Sequence, residues 1–366
     1  MIGVIGGYGD VGAQASRFLL EWGKRPLRIG GRSLEAAKAA LGDLFPQAEW
    51  RRADLEDTRS LESFMDGCEL IINCTGPSWR SSARVAELAL SRGCHLVDAG
   101  MDPGFERLRE GYRHTAVLYG AGATPGLSGL LPRWLARSFD SVQTMSYYSG
   151  ALGRFTASAA EDYLAGATGK DNEALTAWRD GGRRPAALSR KPGTTLPFFA
   201  REVTLYPYFD GEAEFVAEAL SLRDGEWHIA IDGERVPLVL EEASAQFLTD
   251  RDSAVKRLCT ATELDSAGRQ PYFNMLVQLE GLVRGENITR TSVLRAESPA
   301  ALTGAVVAAA GMALAEGAIG PGVRPLAEIP EPDAVMKALS RMPAVCDLKV
   351  LEQSVNELLQ NVEGEL

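Results

Sequence analysis

The sequence predicts an α/β fold: a doubly wound parallel sheet with an α+β domain, built on a mostly antiparallel sheet, inserted into it. Three observations carry that prediction. Strand-like apolar runs alternate with amphipathic stretches through residues 1–124. A glycine-rich turn joins the first run to the first amphipathic stretch. After Gly126 the pattern gives way to longer alternating runs with hairpin signals. A chain of 366 residues is also longer than one hydrophobic core usually serves, so two domains are expected. The first is expected to comprise residues 1–124 and 298–366, with 125–297 inserted as a substrate and dimerisation domain.

Taken in order, the apolar runs Ile2–Ile5, Leu27–Ile29, Leu70–Asn73, His95–Val97 and Val117–Tyr119 read as strands, with one more strand expected just before Asp54-Leu55. Between them, Val11–Trp22, Leu34–Leu44, Leu61–Met65, Ala83–Leu90 and Glu106–Tyr112 repeat apolar positions at three- and four-residue intervals, as helices do. Past Gly126, Leu127–Leu135 reads as a helix, Val142–Tyr148 as a strand, and Gly166–Gly193 as loop with short helix. Two hairpins are expected. Trp227–Ile231 and Val236–Leu240 flank the turn pair Asp232-Gly233, and Tyr272–Val283 and Ile288–Leu294 flank Arg284-Gly285-Glu286-Asn287. The uncharged run Pro299–Ala315 falls short of the roughly 20 residues of a membrane span. It reads as a buried helix packed on the first domain, with Ser298 as N-cap, Pro299 in the first turn and Gly317 closing it.

Charge and cysteine content narrow the function classes. With 38 Lys and Arg against 49 Asp and Glu, the net charge is −11, which argues against nucleic acid as a partner. Most of the acidity falls after residue 124, since residues 1–124 carry 15 cations against 16 anions. The 5 cysteines form no C-x-x-C pair and the 3 histidines no metal-ligand spacing, so no metal and a reducing, cytoplasmic setting are expected. No basic leader precedes the first strand, and no membrane association is expected.

The strongest motif is Gly7-Tyr8-Gly9-Asp10-Val11-Gly12, a G-x-G-x-x-G between the first strand and first helix. Its glycines allow a tight turn, close approach of backbone to a pyrophosphate, and close helix packing, as in a Rossmann dinucleotide site. The second strand ends Gly30-Gly31-Arg32-Ser33 with no acid for a ribose 2′-hydroxyl, so Arg32 and Ser33 point to the 2′-phosphate of NADPH. The alternative is that Arg32 is a solvated cation and Ser33 a helix cap. Asp54 is placed to border the adenine, and Cys74-Thr75-Gly76-Pro77, after the fourth strand, to let the cofactor approach. Cys74 has no histidine near it in sequence and reads as packing rather than nucleophile. Asp98 and Asp102 follow the fifth strand at the edge where ligands bind, as proton donors or substrate anchors; an N-cap before Pro103 is an equal account of Asp102.

With the segment Gly120-Ala121-Gly122-Ala123-Thr124-Pro125-Gly126-Leu127 and the tail Gly320-Pro321-Gly322-Val323-Arg324-Pro325, these motifs resemble the saccharopine dehydrogenase-like, NADP-linked reductases. The resemblance covers the first domain and the C-terminal return; the middle matches in general layout. It implies hydride transfer at a carbon–nitrogen bond, with NADPH in the first domain and substrate between the domains. Saccharopine-forming members read Gly-Leu-Asp-Pro-Gly at the crossover, where this chain has Ala123-Thr124-Pro125-Gly126. Losing that carboxylate argues against an α-ammonium substrate. Shorter members of the group, the stand-alone thiazolinyl imine reductases of enantio-pyochelin-type siderophore biosynthesis, are similar in size and plan. A saccharopine- or opine-type amino-acid dehydrogenase and a non-catalytic NADP-binding sensor are the alternatives.

Imine reduction also needs a proton for nitrogen. The candidate donors are Asp98, Asp102, Tyr147, Tyr148, Tyr163 and His95, although His95 begins its strand and belongs at the far end. Tyr147 and Tyr148 lie on opposite faces of one strand, with Ser146 and Ser149 beside them, so at most one faces a substrate. Glu161 and Asp162 are placed either at the rim of the site or at an exposed helix start. Trp178, Arg179, Arg183 and Arg184 offer a surface for an imine tethered to an acidic carrier protein of a nonribosomal peptide synthetase, or form a solvated basic loop. A homodimer is expected.

Overall fold

The computed structural model describes residues 1–110, 112, 114–169 and 172–363. The chain forms two compact units, one of Met1–Leu130 with Ala300–Ala344, the other of Leu131–Pro299 with Val345–Leu366.

The first unit opens with β1 (Ile2–Ile5), α1 (Asp10–Trp22), β2 (Leu27–Gly31), α2 (Leu34–Leu41), β3 (Glu49–Arg52), α3 (Thr58–Met65), β4 (Leu70–Asn73), α4 (Ser82–Ser91), β5 (His95–Asp98) and β6 (Ala116–Tyr119). β1, β2, β4 and β6 are buried along their whole length, because helices cover both faces of a parallel sheet, and that is why they read as mainly apolar runs, with Arg28 in β2 paired to Glu49 at 3.0 Å and Asn73 ending β4. β3, at the sheet edge, is only half-buried and its sequence Glu-Trp-Arg-Arg carries no apolar run. The helices stop and start on local signals: Gly23, at φ +68°, ends α1, while Ser33 and Asp57 cap α2 and α3 through their side chains. The expected helix Glu106–Tyr112 is instead a short 3-10 turn, Pro103–Leu108. Phe105 and Leu108, three residues apart, both enter the core, which a three-residue turn satisfies directly; Gly111, in the expected helix, lies outside the described residues.

From β6 the chain passes through α5 (Leu127–Ala136) into the second unit. There follow β7 (Ser141–Leu152), α6 (Ala157–Ala167), β8 (Glu173–Ala174), β9 (Ala177–Arg179), β10 (Gly182–Arg184), β11 (Lys191–Thr194), β12 (Val203–Phe209), α7 (Gly211–Ala219), β13 (Asp224–Ile231), α8 (Arg235–Thr249), α9 (Arg251–Ser266), β14 (Tyr272–Val283) and β15 (Glu286–Ala296). Two expectations are corrected here. The segment Gly166–Gly193 holds the short strands β8 to β11 rather than loop and helix, with Lys170 and Asp171 outside the described residues. Asp180 and Gly181, both at positive φ, form a tight turn joining β9 to β10. By contrast Asp232-Gly233 makes no hairpin, because α8 starts there. The carboxylate of Asp265 on α9 accepts from the amides of Arg235 and Val236 at 3.0 and 2.9 Å, and a Cβ on Gly233 would lie 2.3 Å from it. The second hairpin forms as expected. Arg284 and Gly285 both take left-handed φ and pair Val283 with Glu286.

The chain then returns through α10 (Pro299–Ala315) and β16 (Gly322–Pro325), then α11 (Asp333–Leu339), β17 (Val345–Leu351) and α12 (Val355–Glu363). α10 is buried on all sides from Ala301 to Leu314, apart from half-buried Thr303. Glycines let it approach closely: a Cβ on Gly304 would lie 2.8 Å from the Val11 carbonyl of α1, and one on Gly311 would lie 2.8 Å from Ile72 of β4. Gly317, at φ +75°, follows it as expected. The expected C-terminal return, 298–366, is corrected in its last part. β17 pairs antiparallel with β15, so residues from Val345 onward belong to the second unit.

The fold class is borne out. The first sheet has seven parallel strands in the order β16-β6-β5-β4-β1-β2-β3. The second has ten strands and is mixed, antiparallel except for β13 beside β7. Each unit has its own core: Phe64, Met65, Leu96, Phe105 and Tyr119 are among the residues filling the first, and Leu205, Leu276 and Val293 among those of the second. A further cluster joins α6, α8 and α9. Among the described residues, no helix is long and apolar enough to cross a membrane.

Candidate functional site

In the first sheet the strand order reverses between β1 and β4, and ligands of open α/β sheets bind beside such a point, outside the carboxyl ends of the strands. The loops after β1, β2, β4 and β5 meet there. Gly6, at φ +72°, takes the tight turn that the sequence pattern assigned to Gly7. Gly7 serves packing, since a Cβ on it would lie 2.7 Å from Ile29. Gly12 packs closer still, because its Cβ would meet the Gly6 carbonyl at 2.1 Å. Gly9 is exposed and open on its outer side, and as N-cap it offers α1 no side-chain acceptor. The first amides of α1, from Asp10 and Val11 onward, therefore lack a capping side chain and suit a pyrophosphate. Asp10 is exposed in that first turn.

At the tip of β2, the Tyr8 ring lies across Gly31, where a Cβ would be 2.0 Å from the ring edge, and the Ser33 amide donates to the Tyr8 hydroxyl at 3.3 Å. Ser33 Oγ accepts from the Ala36 amide at 3.3 Å. Arg32 is exposed and, among the described residues, has neither ion pair nor hydrogen bond. An uncommitted guanidinium beside a serine hydroxyl fits a phosphate monoester. After β3, Asp54 is held by Arg52 at 2.6 Å and accepts from the Glu56 amide at 3.2 Å.

A buried polar network lies at the ends of β4 and β5. Asp98 is 1% exposed. Its Oδ1 accepts from Ser82 Oγ at 3.0 Å and from the Gly100 amide at 2.8 Å, and its Oδ2 accepts from Asn73 Nδ2 at 2.6 Å. Burial pushes its carboxyl up to about 7 against these donors. Asn73 in turn accepts through Oδ1 from the Thr75 hydroxyl at 2.7 Å and the Thr75 amide at 3.3 Å. Cys74 beside it is a packing thiol, pushed well above its ordinary value by burial and by Asp98. Gly76 is exposed and Pro77 half-buried, so this loop stays small at the edge.

These contacts correct the sequence reading of the acids. Asp98 is too enclosed to hand a proton directly to a substrate. Asp102 is a cap: its two oxygens accept from the Gly104 and Ala83 amides at 2.8 and 2.9 Å. His95 sits at the far end of β5, where its Nδ1 accepts from the Ala116 amide at 2.9 Å. Asn73 and Ser82, which hold Asp98, were not singled out from the sequence. The available signal was an amide side chain ending an otherwise apolar strand.

The remaining candidates lie in the second unit. Tyr147 is fully buried beside Tyr208, with Met145 and Ser149 on the same face, so it belongs to the core. Tyr148 and Ser146 are half-buried on the other face; the Tyr148 ring stacks on His228 at 5.3 Å, and burial raises its hydroxyl. Tyr163 packs on Phe155 in the cluster of α6, α8 and α9, and Glu161 and Asp162 lie within α6, which Thr156 caps. The arginines of the proposed basic surface are largely ion-paired within the unit. Trp178 is buried and donates to the Leu222 carbonyl at 2.8 Å, Arg179 pairs with Glu226, and Arg183 pairs with Glu214 and Glu173. Arg184 alone of the four is exposed.

The turn at Gly6, the close packing of Gly12 and the uncommitted Arg32 together define the kind of dinucleotide edge that the sequence motifs implied. Residues 2–122 match the saccharopine dehydrogenase NADP binding domain. The expectation of NADPH stands on that match and on the β2 tip. No curated protein matches the chain in sequence. Among solved structures, the apo saccharopine dehydrogenase (L-Glu forming) of Saccharomyces cerevisiae is similar with a TM-score of 0.70 at 15% identity, over 96% of this chain and 99% of that one. The homospermidine synthase of Legionella pneumophila, solved with NAD, follows with a TM-score of 0.60 at 12% identity, over 96% and 91%. At such identities the likeness speaks for the fold.

Proposed function

We propose that the chain is an NADPH-dependent reductase of carbon–nitrogen double bonds, with a thiazolinyl imine as the substrate reduced to a thiazolidine. The observation that carries the cofactor half is Arg32, exposed and uncommitted beside Ser33 at the tip of β2. The substrate half is supported by the crossover Ala123-Thr124-Pro125-Gly126, which carries no carboxylate to hold an α-ammonium group. Bound NADPH supplies the hydride. The chain holds it through the glycine loop, the first amides of α1 and the tip of β2. Tyr148 is the acid that best suits the imine nitrogen. It is half-buried, and its raised hydroxyl stays protonated over the physiological range.

Incubating the protein with NADPH and a panel of thiazolinyl and other cyclic imines, free and tethered to a carrier protein, tests the reading. NADPH consumption with thiazolines is the expected result, and turnover confined to keto acids with amino acids would overturn it. That second outcome is the amino-acid dehydrogenase reading, which the saccharopine dehydrogenase match at residues 2–122 favours.

A further inference from the structure

We propose that Asp98 is a positioning residue for Thr75. Through Asn73, it makes the Thr75 hydroxyl an acceptor towards the bound dinucleotide when Asp98 is ionised and a donor when Asp98 is protonated. The inference rests on the reading above that NADPH occupies this edge.

The argument is one of donor and acceptor direction. Asp98, Asn73 and Ser82 are almost wholly buried, so water does not rearrange their partners. All three neighbours of the carboxylate, Ser82 Oγ, the Gly100 amide and Asn73 Nδ2, donate to it. An ionised Asp98 therefore fixes the Asn73 amide with its nitrogen inward and its oxygen towards Thr75. The Thr75 hydroxyl proton is then used inward, on Asn73 Oδ1 at 2.7 Å, and only its lone pairs remain for a ligand. Thr75 is half-buried and belongs to the same edge as the glycine loop: a Cβ on Gly6 would lie 3.0 Å from the Thr75 methyl.

A protonated Asp98 needs an acceptor; the Gly100 amide and Asn73 Nδ2 can only donate, and Ser82 Oγ already accepts from Asn73 Nδ2 at 3.5 Å. A half-turn of the Asn73 amide provides one, bringing Oδ1 to Asp98 and Nδ2 to the Thr75 hydroxyl, and it gives up the longer bond of 3.3 Å that the Thr75 amide makes to Oδ1. The Thr75 oxygen then accepts from Nδ2 and its proton turns outward. The charged group acting on Asp98 from neighbouring elements is Asp102, at the head of the 3-10 turn, and the Cys74 thiol lies beside it at the end of β4. Neither supplies a cation, and burial brings the carboxyl up to about 7, within the range where the exchange can occur.

The test is the dissociation constant of NADPH, and in parallel of NADH, measured by calorimetry from about pH 6 to about pH 8.5. In the wild type, affinity for both cofactors should change by about threefold to tenfold across a step near neutrality. NADH serves here because it lacks the 2′-phosphate, whose own titration would be confined to NADPH. Thr75→Val should abolish the step, Thr75→Ser should keep it, and Asp98→Asn should give a flat profile. Tight binding with a flat wild-type profile, or a step that survives in Thr75→Val, would overturn this inference alone. A folded wild type that binds neither cofactor at any pH would overturn the cofactor reading and this inference with it.

Discussion

Arg32 has no partner among the described residues, so its removal should be felt by one cofactor only. Arg32→Ala should weaken NADPH binding by about tenfold to a hundredfold and leave NADH binding nearly unchanged, as calorimetric titration with each would show. Asp10 acts in the opposite sense. Its carboxylate stands in the first turn of α1, where a pyrophosphate would lie, so Asp10→Asn should tighten NADPH binding by about twofold to fourfold. In the second unit, Tyr148→Phe should reduce the rate of imine reduction by about a hundredfold without changing NADPH affinity, and an unchanged rate would remove Tyr148 as the acid. The Ser33 cap of α2 was legible in the sequence because it depends on a neighbour three residues away, whereas the turn expected at Gly7 falls at Gly6 and Gly7 packs on Ile29 of another strand. Asp98 was legible as an edge residue only, since its burial depends on Asn73 and Ser82, which come from two other segments. Tyr147 and Tyr148 could be assigned to opposite faces from the strand period, but which face was core depends on what packs there.

At the scale of elements, two of the Asp-Gly pairs, Asp180-Gly181 and Asp232-Gly233, show what a local signal can and cannot decide. Asp180-Gly181 turns a hairpin that the sequence reading passed over. Asp232-Gly233 leads into α8 because Asp265, distant in sequence, accepts from the helix's first amides. Asp265→Ala should therefore lower stability by about 1–2 kcal/mol, read as a fall in unfolding temperature. α10 was legible in full, since an uncharged Ala-rich run can only be buried, but its close approach to α1 was not. Gly304→Ala would force a methyl to within 2.8 Å of the Val11 carbonyl. It should cost about 1–3 kcal/mol and weaken NADPH binding through displacement of the glycine loop. β3 shows the converse, an edge strand whose half-exposure erases the apolar pattern a strand is read by.

At the scale of the whole molecule, the two units carry buried groups whose titrations oppose each other. Asp98 in the first unit is raised from 3.8 to about 7, so its contribution is fully present below the unfolded value and is lost as pH rises through 7. His228 in the second unit is lowered by burial from 6.5 to about 4, so its contribution is present above the unfolded value and is lost as pH falls towards 4. Relative to wild type, Asp98→Asn should therefore gain about 3 kcal/mol as pH rises from about 5 to about 8. His228→Gln should lose about 2 kcal/mol over the same interval, and scanning calorimetry of both variants checks the pair of signs. The broad plan of two domains with a discontinuous first one was legible from the C-terminal Ala-rich helix. The final crossing at Ala344 was not, because β17 finds its place only by pairing with β15.

That interleaving has a consequence for biosynthesis. β16 takes an outer position in the first sheet and β17 an outer position in the second, and both are encoded between Gly322 and Leu351. A ribosome that has translated as far as α10 has therefore released neither sheet's last strand. The nascent chain exposes the open side of β6 until β16 has emerged and that of β15 until β17 has.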